Sequence, residues 1–558
     1  MRPRPIRVVP TARSAGRRHT ESVETPRATT VACVLRKTLR VSCGLEDEMG
    51  NSPERAGIDG ERQICDNPPV KKRWIIVLSA SFATLLGVWG ETNVVHTAES
   101  PIPHQVECRS NGKKGKWRTY SAATVDRIPG FCVGTEPETD VYGGWKIPGT
   151  DKPTGFFTVR KIGSRWWMID PLGNLFLAKS VACLTPGRSD RQKKLLKSRF
   201  GTLGKWADEE MGFIRETGFN SLGAWSAVET IHGNPNRLPY TVILSPLSVY
   251  NRRLREAGAE VEGFVKTDWA GCPYDFPYVF DPEFEKVAEE VLSSAANYAD
   301  DPRLIGYFLG NEIPWLNSAL KTALTKMPAD HRNHRVAQEW LDREKGRTGC
   351  TVQDITVEDG KKFAAYCHEV YLRKTIRVLR KYDVNHMVLG TRLCRWQHEL
   401  ANEHLLKVAG RYVDVVSLNH YSRWQPEQET MQTWERASGK PFMVTEFYTK
   451  GEDSGLPNVT GAGWLVHTQN DRGIFYENFV NELLKSGVCV GWHWFKYMDN
   501  DPTDLKADPS NRDSNKGMVA WDYQRYDPLL RHMRQLNGVV YQLVRFHDSN
   551  NTGKDSGR

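Results

Sequence analysis

The sequence predicts an α/β protein built on a (β/α)8 TIM barrel, with a short N-terminal β extension and a disordered N-terminal tail. Three observations carry that expectation. Short apolar runs alternate with helical patterns at intervals of roughly forty residues, the order an eightfold barrel requires. Several of those runs stop on a carboxylate, an amide or an aromatic ring, and in such barrels the C-terminal strand ends carry the chemistry. No glycine-rich phosphate fingerprint follows the first run, and the runs number nearer eight than the five or six of a doubly wound sheet.

Taken in order, residues 1–70 are rich in Arg, Ser, Thr, Pro and Gly without helical or strand period. They read as a disordered tail or an over-long gene start, with Met49 as an alternative initiator. Lys71-Lys72-Arg73 then precedes an apolar run from Trp74 to Trp89. Segment 71–97 is therefore expected to be an export signal cleaved between Gly90 and Ser100, or an uncleaved membrane anchor through 74–89; a buried core helix is the third reading. The run is short for a membrane span. Residues 98–172 are expected to form a linker and a hairpin extension, because the stretch from Gly155 to Asp170 alternates around Gly163-Ser164.

The barrel is expected over 173–546, with a disordered tail at 547–558. Its strands are placed at Leu175 to Val181, Phe219 to Trp225, within Leu238 to Ser248, Leu304 to Leu309, His386 to Thr391, Val413 to Leu418, Phe442 to Glu446 and Cys489 to Phe495. A helix through Trp206, Met211 and Ile214 should stop at Gly218. The best-formed helix follows Asp281 as its cap and Pro282 in its first turn, with Phe284, Val287, Ala288, Val291, Leu292 and Ala295 on one stripe. Residues 316–360 are polar and irregular, which suggests an insertion or lid rather than a continuous helix. Helical spacing resumes through Phe363, Tyr366, Cys367, Val370 and Val378.

The chain of 558 residues has a formal charge of +9, unevenly spread. Residues 1–72 hold 14 Lys and Arg against 9 Asp and Glu, leaving 62 against 58 for the rest. A near-neutral body argues against a nucleic-acid partner, which calls for a concentrated basic face. It suits an uncharged polysaccharide or oligosaccharide. Eighteen Trp supply flat amphipathic surface for stacking on sugars or for packing a large core. Cys108 and Cys132 are close enough in sequence to pair, whereas Cys183, Cys272, Cys350, Cys367, Cys394 and Cys489 lack metal spacing and read as free thiols, mostly buried. No metalloprotease motif, nucleophile elbow or P-loop appears, so no cofactor and no metal is expected.

The run from Leu304 ends on Asn311-Glu312-Ile-Pro-Trp315, and the run from Phe442 ends on Glu446. Two carboxylates delivered by strands four and seven can meet at one mouth, as glycosidic hydrolysis with retention requires: a proton donor and a nucleophile roughly 5 Å apart. Like charges at that distance raise one pKa, leaving one Glu protonated and the other ionised. Glu312 is accordingly expected as acid/base and Glu446 as nucleophile. Trp225, Trp315, Trp396, Trp424 and Trp494 fall at or just past strand ends, where indoles bind the C–H faces of sugars. Trp492 and Trp494 share one face of strand eight and His493 takes the other, so only one face looks inward. Asn419-His420-Tyr421 closes strand six, and Tyr421 either hydrogen-bonds the nucleophile or merely finishes the strand. The acidic loop from Asp499 invites a calcium reading, but position six of an EF-hand loop would be Asp504 instead of Gly, so a solvated loop bordering the cleft is preferred, with Asp499 and His420 among its candidate substrate contacts.

Asn311-Glu312, Thr445-Glu446-Phe447, the segment Tyr448 to Leu456, Gly461-Ala-Gly-Trp464, His467 to Gly473 and Gly491 to Asp501 together resemble the agarase-type glycoside hydrolases of family 50, in the retaining clan A. The resemblance covers roughly 155–546 and is densest over 440–525. It implies a barrel, a retaining double displacement, an acid/base at Glu312 beside an Asn311 that touches the sugar 2-hydroxyl, a nucleophile at Glu446, and cleavage of β-1,4 bonds in agarose. Such agarases often carry a substantial β-rich module ahead of the barrel, and 98–153 is short for one. Competing readings are another clan A β-glycosidase, such as a β-galactosidase or porphyran-type hydrolase, and an inactive barrel that binds sugar.

Overall fold

The structure is a computed structural model that describes residues 101–110, 115–147, 152–257, 271–394 and 399–555. The expected tail and export segment, 1–97, lie outside the described residues.

The first elements are an antiparallel hairpin, β1 (His104–Arg109) and β2 (Trp117–Ala122), held in one register throughout. A second hairpin, β3 (Thr158–Ile162) and β4 (Arg165–Ile169), turns at Gly163-Ser164, where Gly163 adopts φ +60. The run from Leu175 to Val181, expected as one strand, divides between two sheets. β5 (Leu175–Phe176) adds antiparallel to β4, while β6 (Ala178–Val181) opens a parallel sheet.

That parallel sheet continues with β7 (Ser221–Leu222), β8 (Tyr240–Ile243), β9 (Leu304–Phe308), β10 (Met387–Val388), β11 (Leu393–Cys394), β12 (Val416–Asn419), β13 (Phe442–Phe447) and, after two short strands of another sheet, β16 (Cys489–Trp494). Its nine strands run in the order β10-β9-β8-β7-β6-β16-β13-β12-β11, every pair parallel. The two edge strands are pieces of one run: Leu389 to Arg392 separates β10 from β11, and Leu389 N–H donates to Tyr307 O at 2.8 Å. The sheet is thus curled, with the expected strand five, His386 to Thr391, supplying β10 at one margin and the residues just after it supplying β11 at the other. β7 is only two residues long, and Gly223 just past it packs closely on His493, whose ring stands 2.5 Å from where a Cβ would be.

Helices connect the parallel strands. Leu203–Glu216 buries Trp206, Met211 and Ile214, and Thr202 caps it. Asp281 accepts from Glu283 N at the start of Pro282–Leu292, as the sequence suggested. Residues 316–360 differ from expectation. They fold as helices Ala319–Lys326 and Arg332–Lys345 before Val357–Leu379 begins, and their apolar residues, Leu320, Ala337 and Leu341 among them, are spaced for packing under a mostly charged surface. The C-terminus is a second correction: Val540–Asp555 is helical, so 547–555 do not form an unstructured tail. Asp548 anchors it, accepting from Arg165 Nη2 at 2.7 Å, and His547 bonds Asn481 Oδ1 at 2.9 Å.

Inside the curl, Met387, Val415, Met443 and Val490 form one apolar cluster with Met168 and Phe176 of the β3-β4-β5 sheet and with Phe157 just ahead of β3. At the other end the chain makes β14 (Thr449–Gly451) and β15 (Trp464–Val466), and the first hairpin adds to them in the order β14-β15-β1-β2. Cys108 is buried in that junction and Cys132 is exposed, and both are free thiols, so the expected pairing does not form. Cys272, Cys350, Cys367, Cys394 and Cys489 are buried free thiols, while Cys183 is half-buried. Among the described residues, no helix is long and apolar enough to cross a membrane.

Candidate active site

The C-terminal ends of the parallel strands are built from strained turns. Among the described residues nine non-glycine residues have positive φ, and five stand just past these strands: Cys183 (58), Trp225 (65), Glu312 (46), Arg392 (52) and Ser422 (61). Each conformation costs on the order of 1–3 kcal/mol and persists only where its surroundings over-determine it, which singles out this edge of the sheet.

After β9, Gly310 turns at φ +116, where a Cβ would meet Ile313 Cδ1 at 2.8 Å. The turn delivers Asn311 and Glu312, and Glu312 N–H donates to Arg392 O at 3.3 Å. Asn419 Nδ2 donates to Glu312 Oε1 at 2.7 Å and lies 3.4 Å from Asn311 Oδ1. Thr445 Oγ1 donates to Asn419 Oδ1 at 2.8 Å, which fixes the amide so that its NH2 faces Glu312. Glu446 is re-aimed by a register shift: Leu418 pairs with Val444 but Asn419 pairs with Glu446, so one extra residue bulges β13. Its two carboxylate oxygens accept from Arg392 Nη2 and from the Tyr421 hydroxyl.

Both carboxyls are almost fully buried, Glu312 at 7% exposed and Glu446 at 6%. Burial pushes Glu312 up to about 7, and the charge of Glu446 adds to the rise. Burial also raises Glu446, but there the Arg392 guanidinium, the Tyr421 hydroxyl and Lys516 all favour the anion. The pair is electrostatically coupled, and its neighbours place the proton on Glu312 and the charge on Glu446. A third carboxyl, Glu399, accepts from the backbone N–H of Trp315 (3.1 Å) and of Cys394 (2.9 Å), and burial pushes it up to about 8.

Trp225 is 37% exposed at the edge of this group, with the Arg392 guanidinium 5.9 Å from its ring. Asn311, Trp225 and Tyr421 therefore gather at the carboxyl pair. Four other expected contacts do not. Trp315 is buried against His368 and Tyr371 of the helix Val357–Leu379. His420 packs between Trp434 and Phe479, because β12 alternates and Tyr421 takes the inward side. Trp494 points outward, donating to Lys516 O at 3.1 Å and packing on Phe447 and Tyr476, while His493 looks inward at Phe308. Asp499 is buried as a loop organiser, accepting from Lys516 N, Gly517 N, Asn515 Nδ2 and Tyr526 Oη at 2.7–2.9 Å. Trp424 is buried beside the site and lines a neighbouring cavity; Trp396 lies outside the described residues.

Sequence reasoning missed Arg392, Asn419 and Glu399. Arg392 carried the same signal as the two glutamates, a charge ending the apolar run that starts at Met387, and the run was closed one residue early at Thr391. Among the described residues no three His, Cys, Asp or Glu side chains are grouped to hold a metal. With a protonated carboxyl and an ionised one close enough to interact electrostatically, the first can donate a proton to one side of a bond while the second attacks from the other.

No protein-family model matches the chain. It is 24% identical over 538 residues to beta-agarase B of Vibrio sp. strain JT0107, a match covering 77% of this chain; the chain spans about half, 52%, of that relative's length. The crystal structure of BpGH50 matches with a TM-score of 0.69 and 26% identity, covering 80% of this chain and 96% of that one. The crystal structure of the agarase AgWH50C shares the fold, with a TM-score of 0.60 and 21% identity over 74% of this chain and 67% of that one.

Proposed function

We propose, for a chain whose kinship in sequence and fold is with the agarase-type glycoside hydrolases of family 50, that it hydrolyses β-1,4-galactosidic bonds of a neutral agarose-type galactan with retention of configuration. The observation that carries this reading is the division of labour between the two carboxyls. Glu446 meets a guanidinium and a phenol that favour its anion, whereas Glu312 meets an amide, and burial beside the charge of Glu446 favours its protonated form.

In the first step Glu312 gives its proton to the glycosidic oxygen as the Glu446 carboxylate attacks the anomeric carbon, forming a glycosyl ester and releasing the leaving sugar. In the second, Glu312, now a carboxylate, takes a proton from water, which attacks the same carbon from the face the leaving group left and frees Glu446. Arg392 and Tyr421 hold the nucleophile anionic and oriented; Trp225 stacks on the sugar face. The curled sheet supports this assignment if it closes as a (β/α)8 barrel, and the meeting of both its margins in one interrupted strand favours closure. The basic and apolar segments at 71–89 favour export, by a cleaved signal or an anchor, which N-terminal sequencing of secreted protein would read.

The test is incubation with agarose, sizing of the products, and NMR of the first-formed anomer. Release of β-anomeric oligosaccharides supports the reading; α-anomers at early times would overturn retention. Glu446→Gln should lower turnover by at least about a thousandfold while leaving binding intact. Parent-like turnover in that variant would overturn the nucleophile assignment.

A further inference from the structure

We propose that Glu399 is a positioning residue for the carboxyl pair: its one carboxyl group splints the chain leaving β9 to the chain leaving β11, and so holds Glu312 and Arg392 in register with each other. This role rests on the hydrolytic reading above and adds to it a third carboxyl that acts through the other two.

The two oxygens of Glu399 go to different exits. Oε1 accepts from Trp315 N–H at 3.1 Å, shortly past Glu312, and Oε2 accepts from Cys394 N–H at 2.9 Å, shortly past Arg392. β9 and β11 are not neighbours in the parallel ladder. Beyond Leu309 N–H on Gly390 O at 2.8 Å, backbone contact between the two runs thins to the 3.3 Å bond from Glu312 N–H to Arg392 O. Glu399 bridges the gap just past that point. The turn that carries it, Glu399–Ala401, makes a second tie to the same loop: Asn402 N–H donates to Glu399 O at 3.0 Å, and Asn402 Nδ2 donates to Asn317 Oδ1 at 3.1 Å and to Lys361 O at 3.0 Å.

Both exits need such a hold. Glu312 and Arg392 sit at φ +46 and +52, conformations that persist only where the surroundings over-determine them. Between Glu312 and Trp315 lies Pro314, which has no N–H and a fixed φ, so the grip on Trp315 is passed back stiffly to the proton donor. Trp315 N–H also reaches Ile313 O at 2.9 Å, which tightens the same turn. On the other side the link is more direct, because the Cys394 thiol hydrogen-bonds the Glu312 carboxyl. Glu312 is thus held between the Asn419 amide and a thiol whose own backbone Glu399 fixes. Glu399 is 1% exposed, so water does not replace either N–H contact when the carboxyl is lost.

The experiment measures kcat, KM and the pH profile of the parent, Glu399→Gln and Asp548→Ala on agaro-oligosaccharides below each variant's unfolding transition, and solves crystal structures of the parent and Glu399→Gln. Asp548→Ala is the control that loosens the fold away from the site. The Gln amide keeps the shape but offers one acceptor and one donor, so it releases one exit. The splint predicts a fall of about 10- to 100-fold in kcat with KM within about twofold of parent. Glu446 raises Glu312 and Arg392 lowers it, but burial is the largest effect, so a Glu312 freed toward water should carry the basic limb acidward by about half a pH unit or more. In the crystal, the Glu312 carboxyl should move by about 0.5 Å or more against Asn419. Asp548→Ala should keep the parent's kcat and limb. Parent-like kcat in Glu399→Gln, a loss that Asp548→Ala matches, or a Glu312 that stays in place would each overturn the splint. If the parent cleaves no galactan, the hydrolytic reading fails and the two crystal structures decide alone: displaced exits uphold the splint, and unmoved ones overturn it as well.

Discussion

Glu446 depends on two partners that pull the same way, and removing either should show in the pH profile. The Tyr421 hydroxyl donates a hydrogen bond to one oxygen and the Arg392 guanidinium donates to the other. A hydrogen bond to a charged group is worth about 1.5–3 kcal/mol, so Tyr421→Phe should lower kcat/KM by about 10- to 100-fold. It should also move the acidic limb upward, because the anion has lost a donor. In the parent, activity should fall as pH rises through about 7, where Glu312 gives up the proton it must donate. The acidic limb should lie above the ordinary glutamate value, since burial raises Glu446 too. A basic limb above pH 9 would exclude Glu312 as the acid. Glu312 and Glu446 were readable because each ends an apolar run with a charge. Trp315 and Trp494 were misread for a reason equally local: a strand end says that a ring is near the edge, not which side of the sheet it takes. The bulges that set sidedness, one in β13 and one where Gly491 slips against Met443, leave no mark in residue type.

At the scale of elements, strands with long apolar runs were located within a residue or two, as for β9, β13 and β16, whereas β7 and β10 keep only two residues each in the ladder. Such short strands are stable through neighbours on both sides, so their own sequences carry little signal. The helices within 316–360 were passed over because their faces are mostly charged and their stripe narrow; tertiary packing supplies what periodicity does not. The C-terminal helix was lost in the same way, its polar residues resembling a tail. It is tied down by a bidentate contact, Arg165 Nε and Nη2 to Asp548, in which the arginine side chain is 2% exposed and the aspartate 37%. Asp548→Ala should leave that guanidinium without its carboxylate. Discounting for the exposed partner, a loss of about 1–2 kcal/mol is expected in denaturant unfolding. An unchanged midpoint would mean that the helix contributes little to stability.

For the molecule as a whole, alternation and strand count made the parallel sheet foreseeable, but the docking of the first hairpin on β15 was not, since its register partners lie some 350 residues away, Cys108 opposite Val466. Burial of carboxyls in the sheet's open end also sets a global property. Glu399, raised to about 8, and Glu312, raised to about 7, bind protons more tightly folded than unfolded. Their contribution is therefore complete below the ordinary glutamate range and is lost as pH rises toward 8, at up to about 1.4 kcal/mol per pH unit for each group. Asp383 works in the opposite sense: the His386 ring, the Tyr307 hydroxyl and backbone N–H donors hold it down at about 2 against the effect of burial, so its contribution is present above the ordinary aspartate value and fades as pH falls toward 2. Stability should consequently peak in the mildly acidic range and decline toward pH 8. Glu399→Gln isolates the alkaline slope. The amide oxygen accepts at most one of the two N–H bonds well, so the variant should be less stable than parent at pH 5. Having no proton to lose, it should also decline less steeply from pH 5 to 8, so that the two unfolding curves converge as pH rises. Parallel curves across that range would show that Glu399 does not titrate there, and that the loss of stability at high pH originates elsewhere.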